Sequence, residues 1–374
     1  MSEKYILVIN AGSATLKFKI FKVESLDLVV DGLIERIGLL DSFIKIGDQK
    51  EIYEIENHKE AFRLMARRLK QYESDIVLIG HRVVHGAEEF VEPTVIDKAV
   101  IKKLKKFNPL APLHNPINIT CIKESLKNYK NVKNVAVFDT AFYRTLPDYA
   151  YLYALPAEYY KKHKIRRYGF HGTSHQYVSQ QAAEKLGKPL AESNLITCHL
   201  GSGCSITAIK NGQAIDTSMG FTPLEGVVMA TRCGSIDPSI PLFMTRELRM
   251  KDEKVYSLLN NHSGLMGLCG TKDLREVLAK AGYEVEGFVL PKKVNGEEKK
   301  QAQLALNIFI YSLKKQIGAY LAILGKVDAI VFTAGVGERS EIVRKLILEN
   351  FSQLKVLVVP TNEELQIAKL IVNS

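Results

Sequence analysis

An apolar run, a turn of small residues and an alternating run occur twice along this chain, once in each half. Residues 5–9 are apolar, Asn10-Ala11-Gly12-Ser13-Ala14-Thr15 turns the chain, and residues 16–21 alternate inward and outward. In the second half residues 195–198 are apolar, His199-Leu200-Gly201-Ser202-Gly203 turns, and residues 204–210 alternate up to an Asn211-Gly212 turn. The pattern predicts a β-hairpin in each half. Glycine lets backbone approach a ligand and supplies positive φ, so successive N–H groups can converge on an anion. A single Gly-rich hairpin is more often only a turn. Its repetition, with hydroxyls and Lys17 beside the first copy, points to nucleotide binding and to two similar domains whose turns face one phosphate chain.

Between the hairpins, residues 28–37 and 43–55 read as strands. Residues 58–72 carry a helical stripe of Ala61, Phe62, Leu64, Met65 and Leu69. A short strand over 76–80 leads into His81-Arg82-Val83-Val84-His85-Gly86, a lysine-rich helix covers 97–107, and Pro112 and Pro116 break the chain after it. A strand over 132–138 ends at Asp139. Residues 144–156, with Pro147 and several tyrosines, form the expected domain junction. From Asn194 the order begins again, through a long helix over 297–324 and a strand over 329–333 that runs into Ala334-Gly335-Val336-Gly337-Glu338. Strands followed by helix–strand units imply α/β domains with mixed sheets.

The length of 374 residues supports two domains. A formal net charge of +10 raises nucleic acid as a partner. The lysines are scattered, however, without an aromatic-interleaved stripe or zinc-finger spacing, so a solvated basic surface that attracts anionic substrates fits better. Five separated cysteines without a C-x-x-C pattern read as reduced thiols. The first apolar run is too short for a signal peptide and no run approaches a membrane span. The expectation is a soluble cytoplasmic protein.

Candidate chemistry gathers where strands end, the position at which open α/β sheets place ligands. Asn10, Ser13, Thr15 and Lys17 surround the first turn. Arg82 fits a structural ion pair and an anion clamp equally well. Asp139 could cap a helix, hold a cation or orient a reacting group. His171 and His175 are four apart, but zinc would need a third ligand and the H-E-x-x-H glutamate is missing. Thr173 or Ser174 instead reads as the cap of a helix starting near His175, leaving His171 to donate to an anion. Arg232, in the Thr231–Pro238 loop, is a second arginine. A transferring phosphoryl group spreads charge over three equatorial oxygens, which suits two arginines. No Walker or protein-kinase motif is present.

The whole string of motifs resembles the acetate kinase family over essentially the full chain. It runs through Asn10-Ala11-Gly12-Ser13, His81 to Gly86, Leu110 to Pro116, Phe138 to Phe142, Arg166 to His175 and His199-Leu200-Gly201. It continues through Asp216 to Gly226, Thr231-Arg232, Ile236-Asp237-Pro238, Phe332 to Gly335 with Gly337-Glu338, and Pro360 to Glu364. The resemblance implies duplicated ribonuclease H-like (actin-like ATPase) domains with a cleft between them: residues 1–148, residues 149–360 with dimer contacts, and a short segment 361–374 returning toward the cleft. It implies reversible transfer from ATP to acetate, giving ADP and acetyl phosphate, with Mg²⁺ or Mn²⁺, in a homodimer that binds neither nucleic acid nor membrane. The rivals are propionate or butyrate kinase and a non-catalytic nucleotide-binding scaffold.

By position, the resemblance assigns catalysis to Arg82, Asp139, His171, His199 and Arg232. Lys17, Ser13, Thr15, His199, Leu200, Gly201, Ser202 and Gly203 would meet the phosphates. Asp273, Leu274, Arg275, Gly335, Val336, Gly337 and Arg339 would form the adenosine pocket. Val84, Leu113, Phe170 and Pro223, with Arg82, would bind the acid, and Asn10 and Glu363 the metal. Several positions depart from the family pattern: Ala14, Thr15, Ser202, Cys233, Ser235 and Arg339. The segment before Val356 is short, and a curtailed C-terminal helix is expected.

Overall fold

A computed structural model describes residues 3–372. Contacts divide the chain into two compact units: one draws on residues up to Arg144, on Phe170–Tyr177 and on the segment from Asn362, the other on Thr145–Gly169 and Val178–Thr361. The first unit is built on β1 (Tyr5–Ala11), β2 (Thr15–Lys22), β3 (Leu28–Glu35), β4 (Phe43–Ile46), β5 (Gln49–Ile52), β6 (Ile76–Val83), β7 (Thr94–Val95) and β8 (Lys133–Phe138). Their order is β5-β4-β3-β2-β1-β6-β8-β7. Strands β1 to β5 form an antiparallel meander, and β6 and β8 then add in parallel.

The second unit contains β9 (Leu195–Leu200), β10 (Cys204–Lys210), β11 (Gln213–Thr217), β12 (Ala329–Thr333) and β13 (Val356–Val358), in the order β11-β10-β9-β12-β13. Three antiparallel strands followed by two parallel ones thus appear in both units. Both sheets are mixed and the repetition is one of topology.

Both hairpins form where the pattern put them, but not by the expected backbone route. Gly12 N–H donates to Thr15 O at 2.9 Å and Gly201 N–H to Gly203 O at 3.0 Å. Gly12, Gly201 and Gly203 all keep negative or extended φ. At Gly12 the requirement is room: a Cβ would lie 2.7 Å from Thr15 Oγ1.

Three other elements differ from expectation. The strand expected over 43–55 is the β4–β5 hairpin, folded at Gly47 with φ +56°. The helix expected from His175 begins at Gly172 (Gly172–Leu186), so neither Thr173 nor Ser174 is its cap. A helix over Asn115–Asn128 follows the proline-rich break, with Pro116 in its first turn, where no intrahelical N–H is needed.

Strand β1 is buried on both faces. Leu7 and Ile9 pack with Phe18, Phe62 and Met65, while Ile6 and Val8 pack with Val135, Val137, Ile367, Ala368 and Ile371. The last three belong to the nine-residue Glu363–Ile371 helix, which docks onto this sheet. Gly80 on β6 makes the seat: a Cβ there would lie 2.7 Å from both Ile367 Cγ2 and Ile371 Cδ1. Gly80→Val is therefore expected to destabilise the first unit by about 1–3 kcal/mol through overpacking. Urea midpoints, with hydrogen exchange in the Glu363–Ile371 helix, measure this; an unshifted midpoint and unchanged protection would refute it.

Candidate active site

The first unit brings four of its predicted polar residues together. Asn10 lies near the end of β1, Arg82 near the end of β6, and Asp139 directly follows β8. These are adjacent strands, and the side chains meet at their carboxyl ends. Arg82 Nε donates to Asp139 Oδ1 at 3.0 Å and Oδ2 at 3.1 Å, and Nη2 to Oδ2 at 2.6 Å. Arg82 Nη1 donates to Asn10 Oδ1 at 2.9 Å, and Nη2 lies 3.6 Å from Glu363 Oε1. Burial opposes the Arg82 charge, but Asp139 and then Glu363 outweigh it and raise its pKa, so the guanidinium stays charged. Thr173 Oγ1, freed from capping, donates to Asp139 Oδ1 at 3.0 Å. The Arg82 ion pair is therefore present, and Asp139 is tied to holding it.

Asn10 Nδ2 donates to Glu363 Oε2 at 3.2 Å and to Glu364 Oε1 at 2.7 Å. Lys17 is exposed on β2, directly across from Asn10; Ser13 is exposed at the turn and Thr15 half-buried. His171 is half-buried with φ +58°, a conformation non-glycine residues seldom hold unless the surroundings impose it. The next residue, Gly172, packs its backbone against the Asp139 carbonyl too closely for a Cβ. Val84 and Phe170 are buried at 6% and 1% exposure, whereas Leu113 is 41% exposed, so the apolar set is only partly core.

In the second unit β9 and β12 run parallel with His199 opposite Thr333, which sets the 200–203 turn beside the turn after β12. Ala334 takes φ +63° there. Glu338 Oε1 accepts from Ala334 N–H at 2.8 Å, Thr361 N–H at 3.1 Å and Thr333 Oγ1 at 3.4 Å. Gly335 and Arg339 are exposed, while Val336 is half-buried. Asp273 caps the Leu274–Ala281 helix and pairs with Arg275 at 2.6 Å, while Leu274 is buried. The contacts of Asp273 and Arg275 are thus largely with each other.

Arg232 sits beside this turn: Ala230 N–H donates to Ser202 O at 3.2 Å, and Arg232 Nη1 donates to Pro223 O at 3.2 Å. The Pro223 loop is braced by Arg167, which pairs with Glu225 at 2.7 Å and donates to the carbonyls of Thr217, Ser218 and Met219. Tyr153 bonds Glu225 and accepts from Phe221 N–H at 2.8 Å. Ser235 staples the loop as well, exchanging bonds with Gly226 at 2.8 and 3.1 Å. No carboxylate among the described residues lies within ion-pair distance of Arg232. Burial lowers its pKa, opposed only weakly by Cys204 and Tyr256. A desolvated guanidinium without a counter-ion is a receptor for an anion.

The acetokinase family matches residues 5–369. The chain belongs to the acetokinase family. It is 47% identical to an acetate kinase of Caldanaerobacter subterraneus subsp. tengcongensis, over 97% of each chain. It is 44% identical to an acetate kinase of Thermotoga maritima, again over 97% of each. Among solved structures it is similar to a propionate kinase from Francisella tularensis (TM-score 0.88, 37% identity, 98% of each chain covered). Membership makes the chain an ATP-dependent carboxylate kinase.

Several residues that build this candidate site escaped sequence reasoning. Asn118 accepts from Val84 N–H at 3.2 Å and donates to Ala11 O at 3.0 Å, cross-linking the ends of β1 and β6. Asn115 exchanges two bonds with the His85 backbone, both 3.1 Å, and Thr140 Oγ1 accepts from Gly86 N–H at 3.1 Å. The available signal was two asparagines three apart at a helix start. It was masked by the neighbouring prolines.

The same framework contains buried neutral histidines. His81 Nε2 donates to Asn134 Oδ1 at 2.8 Å, an oxygen that also accepts from Ser125 Oγ at 2.7 Å. Burial pushes the His81 pKa from 6.5 down to about 4, with Asn134 only partly opposing, and burial pushes His85 down to about 3. A folded-state pKa below the unfolded value means stability that is complete above pH 6.5 and lost as pH falls toward 4. For His81 the loss is on the order of 3 kcal/mol by about pH 4. Denaturant midpoints from pH 7.5 to 4.5 should fall accordingly, and more shallowly in His81→Gln; equal slopes would rule this origin out.

Proposed function

We propose that this acetokinase transfers the γ-phosphoryl group of ATP to acetate reversibly and in line, giving ADP and acetyl phosphate. The observation that carries the reading is Arg232, a half-buried, desolvated cation for which no described residue supplies a carboxylate. A carboxylate substrate is already an anionic nucleophile at neutral pH, so no strong base is required. The barrier is mutual repulsion of two anions. Arg82, kept charged by Asp139 and Glu363, and Arg232, without a carboxylate partner among the described residues, act on the reacting anions. His171 and His199 donate hydrogen bonds to the transferring group.

Backbone N–H groups of the turn 200–203, with Lys17, Ser13 and Thr15, meet the phosphates. The segments around Asp273 to Arg275 and Gly335 to Arg339 take the adenosine. Val84, Leu113, Phe170 and Pro223 accept the methyl group.

The residues present fit a divalent cation. Glu363 Oε1 is buried without a hydrogen-bond partner. Around it, three carboxylates (Asp139, Glu363, Glu364) face two cations (Arg82, Lys19), a formal excess of one negative charge. Mg²⁺ is commonly held by one or two carboxylates together with substrate phosphates. Glu363 would hold it and Asn10 would orient Glu363; once bound, the ion offsets phosphate charge.

Likeness to a propionate kinase supports a second reading of the acid. One methylene changes discrimination by only about 1–3 kcal/mol. Side-by-side kcat/KM values for acetate, propionate and butyrate decide: acetate is expected to lead, and a higher value for propionate would reassign the substrate. We further infer a homodimer through the Ser239–Arg246 helix and its neighbour, where Leu242, Phe243 and Leu248 are all more than half exposed. Light scattering should give twice the chain mass of 41.9 kDa; a monomer at micromolar concentration excludes it.

Arg232→Ala is expected to lower kcat at least about a hundredfold with the fold intact, since an arginine on a transferring phosphoryl group is worth about 10³–10⁵ in rate. Near-parental turnover in a hydroxamate assay would remove Arg232 from the mechanism.

A further inference from the structure

Glu363 and Glu364 are consecutive, buried at 8% and 5% exposure, and open the Glu363–Ile371 helix. Two adjacent buried carboxylates repel each other unless each charge is met. The fold meets them unequally. Glu364 Oε1 accepts from Asn10, and Glu364 Oε2 lies 3.6 Å from the ammonium of Lys19 on β2. Lys19 also donates to Asn362 Oδ1 at 3.3 Å, the same oxygen that caps the helix by accepting from Leu365 N–H at 3.1 Å. Its third neighbour, Asp31 at 3.7 Å, is an exposed carboxylate, while the Lys19 side chain itself is only 16% exposed.

Glu363 has no such cation of its own. One oxygen accepts from Asn10, and the other has no hydrogen-bond partner. Its nearest cation, Arg82, is already engaged by Asp139 through three bonds.

We propose that Lys19 is a positioning residue: by neutralising Glu364 and tethering the cap Asn362, it leaves Glu363 as the carboxylate of this cluster that meets a divalent cation. The proposal rests on the reading of Glu363 as the cation-binding group. Without Lys19, Glu364 would present a second uncompensated charge beside Glu363. A cation would then bind more tightly but be drawn away from the position that serves transfer. Tighter cation binding with slower turnover is an opposed pair of changes that simple loss of folding does not produce.

The test uses the full-length enzyme, with Mn²⁺ as the probe. ADP affinity is titrated calorimetrically with and without Mn²⁺, giving the factor by which the ion tightens ADP binding, alongside kcat and the melting temperature. In Lys19→Met that factor should rise about three- to tenfold, as expected for removing one nearby charge, while kcat falls at least about tenfold. Lys19→Arg should restore both toward the parent. An unchanged factor in Lys19→Met, or a factor, kcat and melting temperature that all fall together, overturns the role of Lys19. Glu363→Gln separates the two layers: it should reduce the factor to about one. If it leaves the factor at the parental value, the Glu363 cation reading fails and the Lys19 proposal fails with it.

Discussion

Uneven charge compensation is the constraint on which the rest of this enzyme depends. Buried ionic groups persist only where partners or ligands meet their charge. Arg82 is met many times over, by Asp139, Asn10 and Glu363. Arg232 is met only by neutral acceptors among the described residues, the Pro223 carbonyl and the Met229 sulfur, and desolvation erodes its preference for the charged state. The first arginine is a fixed feature of its unit. The second is a standing electrostatic deficit that an anionic ligand would relieve.

The fold supplies each arginine with the setting it needs. In the first unit three neighbouring strand ends converge, and buried amides of Asn115 and Asn118 lock the segments that follow them. The C-terminal helix then delivers Glu363 and Glu364 to that corner, because Gly80 leaves room for Ile367 and Ile371. In the second unit Arg167, Glu225 and Tyr153 hold the loop whose carbonyl receives Arg232. These polar braces are side chain to backbone for the most part. They orient the loops without placing a carboxylate against Arg232.

Much of this was legible from the chain itself. Strong periodicity predicted the two hairpins, the long helix now seen at Gly296–Leu324 and the strand Ala329–Thr333 within a residue. The site residues at strand ends, Asn10, Arg82 and Asp139, were legible because strands impose where their last side chains emerge. What escaped depended on tertiary partners. The Asn115–Asn128 helix was hidden by its prolines, and the contacts of Asn118, Glu364 and Lys19 form only across elements distant in sequence. Thr173 or Ser174 reads as a cap from the sequence, whereas the helix already begins at Gly172, whose close approach to Asp139 has no local signature. The turn glycines were assigned positive φ on general grounds, whereas Gly12 is needed for proximity to Thr15.

The central claim, that Arg232 is a half-buried, desolvated charge awaiting an anion, makes a thermodynamic demand independent of turnover. Melting temperatures of the parent and of Arg232→Met, each with and without acetyl phosphate, test it most directly. The account predicts that without ligand the methionine variant is at least as stable as the parent, and that the rise on adding acetyl phosphate is largely lost. A variant clearly less stable than the parent that keeps the full ligand-induced rise would contradict it.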